Sequence, residues 1–112
     1  PYPPEVSEFD ATGLEQTPSK LVKPPRVAIA KVAFECRCTE IMQLKSFSGE
    51  ALPTWLVLGE VVNVHIDQSL LINGIYDTAA AGHVLRGGGP ADYFTIGPEQ
   101  LIKLGRPEMI ER

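Results

Sequence analysis

The chain has 112 residues, of which 44% are hydrophobic, and a formal net charge of −4. This size allows one domain at most with a modest core, and the acidic balance argues against nucleic acid as a partner. No apolar run is long enough to span a membrane, so we expect a soluble, cytoplasmic protein with no membrane partner. The chain begins Pro1-Tyr2-Pro3-Pro4 rather than with methionine, which predicts a piece of a longer polypeptide or one chain of a processed pair.

Residues 1–25 are rich in proline, and the stretch between the prolines predicts a short helix. Pro4 suits the first turn of a helix and Gly13 suits its end, with Val6, Phe9 and Leu14 as the expected buried side chains. Two interpretations remain open for this segment: a flap or pocket wall over a barrel, or a simple covering loop.

The first long strand is predicted over 27–44. Alternate side chains of a strand lie on opposite faces, so Val32, Phe34, Cys36 and Cys38 are expected to face inward and Lys31, Glu35, Arg37 and Thr39 outward. The alternation fails at Thr39–Ile41, which predicts a bulge or a strand end. The two thiols share one face, where a disulfide would be strained, and two cysteines are too few for a closed zinc site. We therefore expect reduced core thiols and no metal.

The second long strand, Thr54–Asp67, is the centre of the predicted sheet. Its even positions are apolar apart from Glu60, and its odd positions become polar at Asn63, His65 and Asp67. The strict two-residue period predicts a strand with one buried face. Residues 45–53 are too few for a helical crossover, so the two strands are expected to be antiparallel.

Shorter elements are predicted after the second strand. Asn73-Gly74 indicates a tight turn. Asp77 or Thr78 can cap a helix running to about Leu85, which would end at Arg86 and the glycines 87–89, and 91–96 predicts a last short strand. Three strands leave two open edges and an uncovered face, so the predicted sheet is incomplete.

Three side chains are candidates for function. His65, next to Asp67, is either an acid–base residue or a structural histidine near a rim. Arg86 either presents a fork to a phosphate or carboxylate or belongs to a helix cap. Tyr93 either stacks on a planar ligand or is a core tyrosine.

Four blocks of the sequence, in order, resemble the C-terminal half of the flavin reductase-like family with an FMN-binding split barrel. They are residues 2–27, residues 32–41, residues 55–67 and the cluster of Arg86, Gly87–Gly89 and Asp92-Tyr93. The resemblance implies a mainly β fold, part of a six-stranded antiparallel split β-barrel with short helices. In one departure from the family pattern, Arg86 is followed directly by three glycines, which lengthens that turn by one residue.

By this resemblance, residues 1–112 are the C-terminal portion of a single domain whose N-terminal half, with most FMN contacts, is supplied by another chain or segment. The completed domain is expected to be a homodimer that binds FMN and uses NADH or NADPH. The expected function is an NAD(P)H-dependent flavin oxidoreductase in which His65 is catalytic and Arg86 and Tyr93 bind the cofactor. The alternative is an FMN-holding electron carrier or a non-catalytic chain that completes the barrel.

Overall fold

A computed structural model describes residues 2–107, and the chain divides into two compact units, Pro1–Ile66 and Asp67–Arg112. The described part is mainly β, with eight strands in four antiparallel pairs. In chain order the elements are α1 (Glu8–Thr12), β1 (Gln16–Thr17), β2 (Arg26–Val27), β3 (Val32–Lys45), β4 (Ala51–Ile66), a 3-10 helix (Gln68–Leu70), β5 (Leu71–Ile72), β6 (Ile75–Tyr76), β7 (Val84–Gly88), β8 (Asp92–Thr95) and a second 3-10 helix (Pro98–Gln100). None of the helices within residues 2–107 is long and apolar enough to cross a membrane.

The hairpin of β3 and β4 dominates the first unit. The two strands are antiparallel, as predicted, and pair Phe34 with Val64 and Gln43 with Trp55. The register shifts between Cys38 and Glu40, which confirms the bulge predicted there. A second shift, where β4 contributes one extra residue opposite the Glu35–Cys36 step, is not foreshadowed by the alternation in the sequence.

The apolar face of this hairpin is exposed in the chain by itself. Phe34 is 61% exposed and Trp55 is 58% exposed, and Cys36 and Cys38 are exposed free thiols. The absence of a disulfide confirms one expectation, whereas the prediction that both thiols lie in a core is wrong for this chain. Two strands place no second layer over the face they share, so its side chains remain open to solvent.

The N-terminal segment forms a short helix and then a strap. The helix α1 ends at Gly13, whose φ of 70° is the left-handed conformation that glycine adopts readily. It begins at Glu8, later than predicted, and Val6 and Leu14 are exposed rather than buried. Strands β1 and β2 then pair with each other and close the loop of residues 18–25, which we call the strap.

The second unit differs from prediction in one element. Asp77 caps a turn, because its Oδ1 accepts from the amides of Ala79 and Ala80 at 3.1 Å, but no helix follows. Gly82 takes a φ of 64°, which stops the turn, and Val84–Gly88 is a strand paired with Asp92–Thr95. The predicted helix to about Leu85 is therefore wrong.

The tight turn predicted at Asn73-Gly74 is present, and it connects two short strands that were not predicted. Asn73 and Gly74 have φ values of 51° and 78° and connect Leu71–Ile72 to Ile75–Tyr76. Positive φ at both central residues is the geometry that favours Asn-Gly in a two-residue hairpin turn. The strand predicted over 91–96 is present as β8.

Candidate functional site

A buried carboxylate on β3 organises the polar face of the β3–β4 hairpin. Glu35 is 1% exposed, and it is paired with Asn63 across the strands while Ala33 is paired with His65. Because paired residues share a face, Asn63 and His65 lie on the same side of the sheet as Glu35. The sequence alternation assigned Glu35 to the correct face, but the expectation that this face is open to solvent is wrong at Glu35.

The strap covers Glu35 and satisfies its carboxylate with backbone amides. Three successive N–H groups, of residues 20–22, donate to the carboxylate. From β4, Asn63 donates to the same group and His65 is hydrogen-bonded to it. The distances are 3.0 Å from Lys20 N to either oxygen, 2.6 Å from Leu21 N and 3.3 Å from Val22 N to Oε1, and 3.0 Å from Asn63 Nδ2 to Oε2. Successive amides converging on one anion form a concave nest of the kind that binds anions.

A cation on the same strand holds the carbonyl side of the strap. Arg37 follows Glu35 by two residues, and its Nη2 donates to the carbonyl oxygen of Leu21 at 3.1 Å. The hydroxyl of Ser19 donates to the carbonyl of Pro24 within the strap. The strap is therefore fixed through both its amide and its carbonyl groups, which is how an irregular segment without ladder partners satisfies its backbone.

Two opposing effects set the pKa of Glu35. Burial raises it, since a desolvated site disfavours the charged carboxylate. The hydrogen bonds lower it, with the largest contribution from the Lys20 amide and the next from His65. The hydrogen bonds prevail, and the pKa of Glu35 lies well below its usual range.

The strap also forms walls of two cavities. One, of about 300 Å³, lies between the strap and β3 and is lined by both polar and apolar side chains, among them Ser19, Arg26, Phe34 and Glu35. The other, of about 420 Å³, lies on the side of Arg37 and Cys38. Residues of the strap therefore line both cavities, whereas the choice between flap, pocket wall and covering loop for the helical stretch before it stays a prediction.

His65 occupies the rim of this polar cluster. Its side chain is 19% exposed, and its Nε2 forms a hydrogen bond with Glu35 Oε2. The sequence paired His65 with Asp67, but the carboxylate found on the ring is that of Glu35. Asp67 begins the second unit, where its Oδ1 accepts from the amide of Ser69 at 2.8 Å and caps the first 3-10 helix.

The other two predicted residues, Arg86 and Tyr93, are brought together in the second unit. They are direct partners on β7 and β8, and the guanidinium carbon of Arg86 lies 5.0 Å from the centroid of the Tyr93 ring. Arg86 Nη2 donates to the carbonyls of Gly89 and Pro90 at 3.0 and 3.1 Å. A cation stacked on an exposed ring suits a planar or anionic group.

The glycines beside Arg86 have structural explanations. A Cβ on Gly87 would overlap the ring of Phe94, and Gly88 and Gly89 have φ values of 93° and 57°. The run therefore forms a strand end and a hairpin turn rather than a helix cap. The glycines therefore determine the backbone shape of the hairpin that carries Arg86 and Tyr93.

Glu35 is the site residue that sequence reasoning missed. A glutamate on the polar phase of an amphipathic strand is indistinguishable from a solvated residue when each strand is read by itself. The available signal was its pairing with Asn63 and His65, combined with a proline-rich segment long enough to fold over them. Within residues 2–107, no three His, Cys, Asp or Glu side chains are grouped to hold a metal ion.

The fold of this chain is similar to that of about half of each of several flavin reductase-like split-barrel structures. Three solved structures share it: nitrilotriacetate monooxygenase component B from Bacillus cereus (TM-score 0.77, 23% identity, 92% of this chain and 49% of that one), 2-nitrobenzoate 2-nitroreductase from Pseudomonas fluorescens (0.71, 26%, 96% and 51%), and a protein designated a flavin reductase with a split-barrel domain from Shewanella frigidimarina (0.69, 25%, 95% and 50%). The described strands of this chain form antiparallel pairs and do not close into a barrel.

Two proteins related by sequence are longer than this chain and match only part of it. An uncharacterized protein from Halalkalibacterium halodurans is 33% identical over 86 residues, which are 77% of this chain and 41% of that protein. An uncharacterized protein from Aquifex aeolicus is 39% identical over 75 residues, 64% of this chain and 36% of that protein. No protein-family model matches the sequence. The chain thus spans less than half the length of these relatives and about half the length of the similar structures.

Proposed function

We propose that residues 1–112 are the C-terminal portion of a flavin reductase-like split-barrel domain that acts as an NAD(P)H-dependent flavin oxidoreductase. The observation that carries the proposal is the shared fold, which extends over nearly all of this chain and one half of each similar structure. Those proteins are described as a monooxygenase component, a nitroreductase and a flavin reductase, and redox chemistry is common to the three descriptions.

The exposed apolar surface of the chain supports the proposal that another segment or chain completes the barrel. Large apolar side chains on both long strands, such as Phe34, Trp55 and Val57, are more than half exposed, and contiguous apolar surface of this kind marks an interface. The N-terminal half of the barrel is the proposed source of the cover for this apolar surface. The completed domain is proposed to form a homodimer.

FMN is the proposed cofactor, and NADH or NADPH the proposed reductant. When bound, the flavin supplies the site that accepts hydride, and the protein orients and tunes it. In this chain, Arg86 and Tyr93 would bind an anionic or planar part of the cofactor through the guanidinium and the exposed ring. His65 would contact the flavin or the nicotinamide from the rim of the polar cluster, with its ring held by Glu35.

Two measurements on the completed protein test the proposal. A visible absorption spectrum of the purified protein, before and after added FMN, reports whether flavin is held. NADH and NADPH oxidation, followed with and without FMN, then reports turnover. Flavin retention with fast nucleotide oxidation supports the reductase. Flavin retention without it favours an electron carrier, and no flavin binding at all would leave a non-catalytic chain that completes a barrel.

A further inference from the structure

The hydrogen bonds of Glu35 determine its charge state. A neutral carboxylic acid carries one O–H donor, whereas an ionised carboxylate only accepts. Four partners of the carboxylate can only donate, namely the amides of residues 20–22 and the Asn63 amide nitrogen, and the fifth is the His65 ring. The side chain is therefore an anion. Oε1 is bound by the strap alone, whereas Oε2 is bound by the Lys20 amide and by Asn63 and His65.

The same geometry determines which nitrogen of His65 carries a proton. Nε2 faces the anionic Oε2, so it must carry hydrogen and donate. Its other neighbour, Asn63 Nδ2 at 3.4 Å, carries two hydrogens, one of which is donated to Oε2. Its contact with Nε2 is the longer and weaker one, so the closer anionic Oε2 determines that Nε2 carries the proton. In a neutral imidazole with hydrogen on Nε2, Nδ1 keeps its lone pair and can only accept.

We propose that Glu35 is a positioning residue, whose buried anion fixes the strap over the sheet and the Nε2–H tautomer of His65, so that Nδ1 is presented as an acceptor. The proposal rests on the proposed function, since the group that donates to Nδ1 would be an N–H of the nicotinamide carboxamide or of the flavin. The ring's Nε2–H donor is already used inside the protein by Glu35.

Substitutions of Glu35 separate its two proposed tasks, which are to hold the strap and to fix the tautomer of His65. In Glu35→Gln, the carboxamide oxygen can still accept from the strap, while its NH₂ group would then face His65 and Asn63. A donor facing Nε2 favours the opposite tautomer, in which Nε2 accepts and Nδ1 carries hydrogen. Glu35→Ala removes both sets of bonds. Glu40→Gln is the matched control, because Glu40 lies on the same strand, carries the same charge and is exposed.

The tautomer is measured on the completed protein by the ring ¹⁵N chemical shifts of His65. We expect Nε2–H in the wild type and in Glu40→Gln, and a shift toward Nδ1–H in Glu35→Gln. The KM for the nicotinamide nucleotide should rise in Glu35→Gln by about tenfold, the cost of one lost hydrogen bond to a ligand. An unchanged tautomer in Glu35→Gln would overturn the assignment to Glu35.

The protection of the strap from cleavage is measured by limited trypsin digestion of the same proteins. The Lys20–Leu21 bond is flanked by two amides that donate to Glu35, whereas Lys23 precedes a proline and resists trypsin. Cleavage after Lys20 should accelerate about tenfold or more in Glu35→Ala and stay within about threefold of the wild type in Glu35→Gln and Glu40→Gln. Equal protection in Glu35→Ala would show that Glu35 does not hold the strap.

These outcomes are independent of the proposed reaction. The ¹⁵N shifts and the digestion are read without flavin or nucleotide, so they test the role of Glu35 even in a protein that lacks reductase activity. If Glu35→Ala fails to fold, the near-isosteric Glu35→Gln still decides the tautomer. A tautomer that changes as expected in a protein with no reductase activity would refute the proposed function and leave the positioning role of Glu35 supported.

Discussion

The imidazole of His65 has two roles that substitution can separate. Its Nε2–H donates to a buried carboxylate, and its ring is proposed to contact the flavin or the nicotinamide. His65→Ala removes both. His65→Gln places a carboxamide N–H near the position of Nε2, so it keeps the donor to Glu35 but not the ring nitrogen Nδ1.

The expected loss of stability in His65→Ala follows from the hydrogen bond between His65 and Glu35. A hydrogen bond to a charged partner contributes about 1.5–3 kcal/mol to the free energy of unfolding. The similar structures are about twice as long as this chain, and for a completed protein of that size 1 kcal/mol shifts the melting temperature by about 2–4 °C. His65→Ala should therefore lower the melting temperature by about 3–12 °C. From the sequence, with His65 taken as a partly exposed residue, the expected cost is only about 1 kcal/mol or less.

The assay pairs a thermal melt with the initial rate of NADH or NADPH oxidation. His65→Gln should melt within about 2 °C of the wild type, yet lose about tenfold or more in turnover because the contact at Nδ1 is absent. His65→Ala should lose both stability and turnover. A wild-type melting temperature in His65→Ala would show that the hydrogen bond between His65 and Glu35 contributes nothing to stability. Full turnover in His65→Gln would show that the ring has no part in the reaction.

Three further predictions concern other groups. The pKa of Glu35 is lower in the folded than in the unfolded state, so its contribution to stability is complete above about pH 4.5 and is lost as the pH falls below that value. The difference in unfolding free energy between wild type and Glu35→Gln should therefore shrink from pH 6 to pH 3. A constant difference would contradict the link between the ionisation of Glu35 and stability. Arg86→Ala should weaken FMN retention on dialysis more than Tyr93→Phe, which keeps the ring beneath the guanidinium, and equal retention in both variants would remove Arg86 from the cofactor site. Cys36 and Cys38 should react slowly with a thiol reagent in the completed protein and rapidly after denaturation; fast native labelling would show that their face stays uncovered.

The long hairpin could be predicted from the sequence because its information is local. The two-residue period of 54–67 and the short link after 27–44 suffice to specify two antiparallel strands. The bulge after Cys38 was visible as a break in the same alternation. The Asn73-Gly74 turn was equally local, since few residues other than Asn and Gly accept positive φ at both positions.

The remaining features depend on contacts that no single stretch contains. The helix predicted up to Leu85 fails because Val84–Gly88 pairs with Asp92–Thr95, and a ladder partner outweighs the helix propensity of a few alanines. Glu35 was assigned to solvent because its partners come from residues 20–22 and from β4. A pattern read along one strand reveals which face a side chain occupies, but it does not reveal what covers that face.

In the first unit, the polar cluster around Glu35 has its hydrogen-bond partners within this chain, whereas the apolar face of the hairpin has no cover within it. Every described donor to Glu35 comes from residues 20–65, so the strap, β3 and β4 satisfy the buried anion among themselves. The apolar face beside it, with Phe34 and Trp55, is left exposed. Hydrogen bonding is directional and requires its partners at fixed positions, whereas apolar burial requires only a complementary surface. The positioning of His65 is consequently built into this chain, while the cover of the apolar face is the contribution proposed for the other half of the barrel.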